Sequence, residues 1–274
     1  MNRLPAVVLT RPLPESLQWQ ARLQQQGIAA DVLPLIEIAG VNHPQALQAL
    51  HAAMGQLRRY RALMFVSSNA VRFFLQAAGA MEALAAALQA GTTRLWAPGP
   101  GTRQALEEAG IDGRYIDSPA ADAAQFDSEA LWQQVAGQIT AGDCVLIVRG
   151  ASQSGSATTA VAQGSGREWL AAQLRSQGAS VELVGVYQRQ PPALTTALQQ
   201  HIAAHCQACS LWLFSSSEAI AHLQQLSPQQ VWHSQRALAT HPRIAQAAQQ
   251  AGFGTVHLCR PHLQDVRASI ESLL

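Results

Sequence analysis

The chain contains no lysine: all 18 of its basic residues are arginine, set against 17 acidic residues in 274 positions. That absence excludes a Schiff-base lysine, pyridoxal-type chemistry and a Walker A loop, which needs Gly-Lys-Ser/Thr. Charge of either sign is also scarce. Charged residues make up 13% of the chain, about half the usual share, and glutamine occupies much of the polar surface. The net charge of +1 argues against a surface built to hold nucleic acid. Any anionic ligand must be met by arginine, hydroxyls or backbone N–H groups.

Cysteine is sparse too. Cys144, Cys206, Cys209 and Cys259 are too few to staple a chain of this length, and the expectation is a reducing, cytoplasmic setting. No apolar run reaches the roughly 18 residues of a membrane span, and Met1 to Thr10 lacks a signal-peptide pattern. The apolar content, 48%, is ample for one large domain or two smaller ones.

Short apolar runs alternate with helical stretches throughout. Strands are expected at Ala6 to Thr10, Ala30 to Pro34, Ala62 to Val66, Arg94 to Ala97, Cys144 to Val148 and Val181 to Val184. Further runs lie at Leu211 to Phe214, Ala237 to Thr240 and Thr255 to Leu258. Four or five apolar residues followed by a helix is the pattern of parallel strands buried on both faces, and the fold class is α/β. Helices are expected over about Glu15 to Gln26, which Gly27 can terminate, and over Ser128 to Gln138. Ser118 to Asp127 reads as a loop, and Ala151 to Gly166, rich in Gly, Ser, Ala and Thr, as a flexible surface loop.

The chain also repeats itself. Leu63-Met-Phe-Val-Ser-Ser-Asn69 matches Leu211-Trp-Leu-Phe-Ser-Ser-Ser217, and Ala97-Pro-Gly-Pro-Gly-Thr102 matches Ala239-Thr-His-Pro-Arg-Ile244. Val8-Leu-Thr-Arg11 echoes Ile147-Val-Arg149. A unit this long is no solenoid repeat. It implies two similar α/β halves with a cleft between them.

Several motifs fall where strands give way to helices: Thr10-Arg-Pro12, Phe65-Val-Ser-Ser-Asn-Ala70, Gly99-Pro-Gly-Thr102, Val148-Arg-Gly150 with Gly166-Arg-Glu168, Val186-Tyr187 before Pro191, and Phe214-Ser-Ser-Ser217. In this order the set resembles the uroporphyrinogen-III synthase family over nearly the whole chain. The resemblance implies two α/β domains, 1–36 plus 190–274 and 40–188, joined by extended linkers at about 34–39 and 185–191. It implies closure of hydroxymethylbilane to uroporphyrinogen III with inversion of ring D and loss of water, without cofactor or metal. It also implies a monomer with no nucleic-acid or membrane partner, in transient contact with the preceding pathway enzyme. Because the substrate also closes unaided to the uninverted isomer, the task is conformational. A cationic azafulvene-type intermediate must be sheltered from water.

Candidate substrate-binding residues follow. Ser67, Ser68 and Asn69, and Ser215, Ser216 and Ser217, can offer hydroxyls and free helix-start N–H groups to the substrate's acetate and propionate arms; alternatively they only cap their helices. Gly99, Gly101 and Thr102 form a similar turn. A dinucleotide loop is disfavoured there, because Gln104 stands where its third glycine belongs. In the second copy Ile244 replaces the hydroxyl that the family usually carries. Arg11, Arg149 and Arg167 can clamp carboxylates or form ordinary ion pairs. By the resemblance, Tyr187 is the catalytic residue, its phenol assisting departure of the substrate hydroxyl. His201, His205, Cys206 and Cys209 are metal-ligand types, but four ligands within nine residues of one helix cannot easily surround a tetrahedral ion, and a helix end is expected instead. Two other readings remain: a two-lobed protein that only binds a linear anionic ligand, and a decayed relative of the synthase.

Overall fold

The computed structural model describes residues 7–120, 125–151 and 165–273, leaving out the side chains of residues 165–167. Among these residues the strands are β1 Val7–Leu9, β2 Ala30–Val32, β3 Glu37–Gly40, β4 Ala62–Phe65, β5 Arg94–Trp96, β6 Ile116–Asp117, β7 Cys144–Gly150, β8 Ser180–Gln190, β9 Leu211–Phe214, β10 Arg236–Ala239 and β11 Thr255–Leu258. The helices are α1 Leu13–Gln25, α2 Pro44–Met54, α3 Ser68–Leu75, α4 Ala80–Gln89, α5 Pro100–Glu108, α6 Ser128–Val135, α7 Ser165–Ser176, α8 Thr196–Gln207, α9 Ser217–Leu226, α10 Pro242–Gln250 and α11 Leu263–Leu273. The chain divides into two compact units, one of Met1–Ile38 with Arg189–Leu274 and one of Ala39–Gln188.

The discontinuous unit carries a five-stranded parallel sheet in the order β11-β10-β9-β1-β2. The continuous unit carries a six-stranded sheet in the order β3-β8-β7-β4-β5-β6, parallel from β8 to β6. Its edge strand β3 runs the other way. Val41 N–H donates to the Val186 carbonyl while Glu37 accepts from Gln190, so one strand advances as the other retreats. Set side by side, β9, β10 and β11 occupy the positions of β4, β5 and β6, and β1 and β2 those of β7 and β8. The internal repeat of the sequence is therefore a repeat of topology, with its pieces in a different chain order in the two units.

Alternation along the central strands explains the core. In β4 and β7, Leu63, Phe65, Leu146 and Val148 pack on one face of the sheet, while Ala62, Met64, Val145 and Ile147 pack on the other. In β1 and β9, Val8, Trp212 and Phe214 face one way and Val7, Leu9, Leu211 and Leu213 the other. Each large apolar side chain buried in this way is worth about 1.5–3 kcal/mol. Helices on both faces follow from that double burial.

Several boundaries differ from the sequence reading. β8 runs on to Gln190, well past Val184, because its second half lies beside β3, where most residues are only partly buried and the apolar run lapses. The helix expected over Ser128 to Gln138 stops at Val135 and continues as one 3-10 turn around Gly137. β6 has only two residues and gives no periodic signal. Most of the expected 151–166 loop lies outside the described residues.

Candidate functional site

Parallel strands all end on one edge of their sheet, and a ligand crevice forms where the order of connections reverses. In the continuous unit this reversal falls between β4 and β7. Ser67 follows β4, and Arg149 and Gly150 end β7. Ser67 has extended backbone angles and its hydroxyl accepts from Ala70 N–H at 3.2 Å, capping α3. Ser68 and Asn69 occupy the first two helical positions, Ser68 exposed and Asn69 half-buried. One strand over, Gly99 caps α5 with Pro100 as its first residue. Gly101 has open space where a side chain would stand, and Thr102 is buried.

Tyr187 sits at this edge on β8. Its hydroxyl is 3.4 Å from that of Ser67. Its ring stacks on Phe73 at 5.9 Å between centroids and 27° between planes, and the Arg72 guanidinium lies 4.6 Å from the Phe73 centroid. An irregularity in the β7–β8 register at Arg149 and Gly150 sets Gly150 opposite Tyr187. A β-carbon on Gly150 would meet the tyrosine ring at 2.9 Å, so the glycine makes the ring's place. Ala151 N–H donates to the Tyr187 carbonyl at 2.6 Å, fixing the backbone beneath the ring. Arg149 Nε donates to the Gly150 carbonyl at 3.0 Å. Arg167 falls in the first turn of α7, but its side chain lies outside the described residues.

In the discontinuous unit the reversal falls between β1 and β9. Thr10 Oγ1 donates to the Leu213 carbonyl at 2.7 Å and ties the two strand ends together. Arg11 follows, with 17% of its side chain exposed. Its guanidinium lies 4.6 Å from the Trp19 ring centroid and 3.7 Å from Glu15. Burial lowers its pKa, and Glu15 opposes that effect. Its buried Nε has no hydrogen-bond partner among the described residues, an unusual state for a charged donor. Ser216 caps α9 by accepting from Glu218 N–H at 3.2 Å, with Ser215 before it and Ser217 as the first helical residue. Ser67 and Ser216 thus cap their helices, the simpler of the two roles open to these segments, and each hydroxyl can still donate its own hydrogen.

His241 occupies the place of Gly99, with Pro242 in that of Pro100, and caps α10 through Nδ1, which accepts from Arg243 N–H at 3.1 Å. Ile244 and Thr102 hold the same third helical position and are equally buried, at 6% exposure each. Next to this turn is a cavity of about 470 Å³ lined by Thr240, Pro242, Cys259, Arg260 and Asp265. Arg260, which follows β11, stands in no motif that the sequence singles out.

The histidine–cysteine group resolves differently. Cys206 is buried in the core, where desolvation pushes its thiol up to about 11, and Cys209 is exposed. Neither cysteine joins the histidines. Asp31 on β2 does: its Oδ2 lies 2.6 Å from His201 Nε2 and 2.9 Å from His205 Nε2. Desolvation would raise the Asp31 pKa, but the hydrogen bonds from His201, His205 and Val32 N–H outweigh it and hold it below the usual carboxylate value. Among the described residues no single helix is long and apolar enough to cross a membrane.

The fold and these strand-end clusters define an α/β protein of two similar units, each with hydroxyls, helix starts and an arginine at its sheet's reversal point. Residues 18–265 match the family described as uroporphyrinogen-III synthase HemD, and the chain belongs to that family. It is 29% identical over 196 residues to the uroporphyrinogen-III synthase of Chlorobaculum parvum, a match covering 70% of this chain and 66%, slightly under two thirds, of that protein. The uroporphyrinogen-III synthetase of Helicobacter pylori shares the fold, with a TM-score of 0.57 and 16% identity over 99% of this chain and 100% of that one. A mutant uroporphyrinogen III synthase from Thermus thermophilus aligns over 98% of both chains at 14% identity, with a TM-score of 0.46.

Proposed function

We propose that this chain is a working uroporphyrinogen-III synthase: a cofactor-free cyclising hydro-lyase that closes hydroxymethylbilane to uroporphyrinogen III with inversion of ring D. Family membership supports the activity. The observation that carries the catalytic reading is the placing of the Tyr187 hydroxyl 3.4 Å from Ser67, at the strand-end edge where α/β sheets bind ligands. Tyr187 donates its phenol proton to the substrate's hydroxymethyl oxygen as the C–O bond breaks and the group leaves as water, and the phenolate regains a proton from the ring-D α-carbon when the macrocycle finally closes. The azafulvene cation left behind is attacked by the substituted carbon of ring D, which gives a spiro intermediate on the way to the inverted ring. Phe73, stacked on Tyr187, presents an aromatic wall that keeps water from the cation.

The substrate's carboxylates are held without bulk positive charge. Ser67, Ser68, Asn69, Gly99, Gly101 and Thr102 hold part of them with Arg149 and Arg167. Arg11, Ser215, Ser216 and Ser217 hold the others. In this reading the domains are 1–36 plus 190–274 and 40–188, linked through 34–39 and 185–191, and the protein is a cytoplasmic monomer in transient contact with the enzyme that supplies its substrate. The test is to generate hydroxymethylbilane in situ, add the protein, and measure uroporphyrin III against uroporphyrin I after oxidation. A protein that only binds the bilane, or a decayed relative, leaves the unaided product ratio unchanged.

A further inference from the structure

A second cluster lies in the discontinuous unit and is independent of the synthase reaction. His201 and His205 stand four residues apart on α8 and so share one helical face. Both Nε2 atoms converge on one oxygen of Asp31, from the edge strand β2, at 2.6 and 2.9 Å. The three ligand atoms lie within 4.8 Å of one another. Their exposure is graded, with His205 at 0%, Asp31 at 24% and His201 at 35%. One side of the cluster is therefore anchored in the core and the other open to solvent.

We propose that Asp31, His201 and His205 form a binding site for a divalent transition ion, zinc by ligand type, that clips α8 to the edge strand β2. Two imidazoles and a carboxylate are a sufficient protein donor set for zinc, with water in the fourth position on the open side. Tetrahedral bonds of about 2.0–2.1 Å require ligand atoms roughly 3.3 Å apart. The two Asp31–histidine separations, 2.6 and 2.9 Å, reach that value by widening about 0.7 and 0.4 Å, through side-chain rotation of Asp31 and His201. His205 has the outer partner that a metal-binding imidazole needs, because its Nδ1 is 3.0 Å from Ser210 Oγ. That hydroxyl can donate or accept, so it serves both tautomers of a neutral His205. With Nδ1–H donating to Ser210, the Nε2 lone pair is free for the ion; with Nε2–H donating to Asp31, the cluster closes on itself. The remaining oxygen of Asp31, Oδ1, accepts from Val32 N–H at 2.8 Å and keeps the carboxylate turned toward the histidines. The cysteines take no part.

The test uses the full chain stripped of metal by a chelator. Cobalt is titrated as a spectroscopic probe and zinc as the competing ion, with wild type, His201→Ala, Asp31→Asn and Cys209→Ser compared. Because His201 is partly exposed, its replacement leaves the core intact, and circular dichroism checks that it does. The expected result is one equivalent of cobalt with visible d–d bands and no thiolate charge-transfer band, displaced by zinc. Zinc at about 100 times its Kd then raises Tm by roughly 5 °C in wild type and Cys209→Ser. Both effects are lost in folded His201→Ala and in Asp31→Asn. Thiolate bands that vanish in Cys209→Ser, binding that survives in His201→Ala, or no saturable binding in wild type would each overturn the proposal.

Discussion

Tyr187 and Gly150 face each other across the β7–β8 register shift, the tyrosine ring filling the space that any side chain at position 150 would occupy. Phe73 braces the ring on one side and the Ser67 hydroxyl meets its tip. The phenol is held by packing rather than by a strong hydrogen bond, since 3.4 Å between hydroxyl oxygens is long. Its removal should therefore cost activity far more than stability. Tyr187→Phe is expected to lower kcat for isomer III by about 100-fold or more, with Tm within roughly 2 °C of wild type. Steady-state assay and a thermal melt check both, and unchanged activity would remove Tyr187 from the mechanism.

Gly150→Ala should displace the Tyr187 ring without unfolding the unit. The new methyl group would stand 2.9 Å from two ring carbons, and overpacking of that kind costs about 1–3 kcal/mol. The expected loss of isomer III approaches that of Tyr187→Phe, and the double variant loses no more than the tyrosine variant alone, because both changes act through one ring. Additive losses would show that Gly150 acts otherwise.

Arg11 offers a different signature. Its buried Nε has no partner among the described residues, and the Glu15 carboxylate, at 3.7 Å, is too long for a good hydrogen bond. In the proposed function a substrate carboxylate pairs with this guanidinium. Arg11→Gln should raise KM roughly tenfold or more while kcat changes little, as expected when a charge-assisted contact made equally in ground and transition states is lost. An unchanged KM would reduce Arg11 to an ion pair with Glu15 packed on Trp19.

The four cysteines should label in a fixed order. Cys209 is exposed, Cys259 half-buried, and Cys144 and Cys206 buried. Burial, with a smaller contribution from Asp265, pushes the Cys259 thiol up to about 11, so at pH 8 only about a thousandth of it is the reactive thiolate. Raising the pH toward 11 restores that thiolate. Iodoacetamide at pH 8 should therefore modify Cys209 first, Cys259 slowly and faster as pH rises, and the other two only on unfolding. Peptide mass spectrometry over time reads the order.

Much of the fold was legible because buried parallel strands are dense in apolar residues. Leu211–Phe214 and Thr255–Leu258 have the same limits in sequence and structure. The repeat of Ser-Ser-Asn and Ser-Ser-Ser was readable for the same reason: both segments follow the central strand of a sheet and begin a helix. β3 and the outer half of β8 carried too little apolar pattern, since each has neighbours on one side or a solvent face. At the site, the motifs located Ser67 and Gly99 just after strand ends, while Tyr187, expected after its strand, lies within β8. They could not reveal Phe73 under the tyrosine or the role of Gly150, which depends on a register shift between two strands. Asp31 was invisible as a partner of the histidines because 170 residues separate it from His201. The helix end expected in place of a four-ligand zinc site is there, since α8 stops at Gln207. Helical spacing turns Cys206 into the core, while His201 and His205 turn toward β2.

The most direct measurement is the isomer ratio formed from hydroxymethylbilane released in situ, compared among wild type, Tyr187→Phe and a protein-free control. The account predicts that wild type drives the product almost wholly to uroporphyrinogen III and that Tyr187→Phe falls most of the way back toward the control. A wild-type ratio equal to that of the protein-free reaction would contradict it.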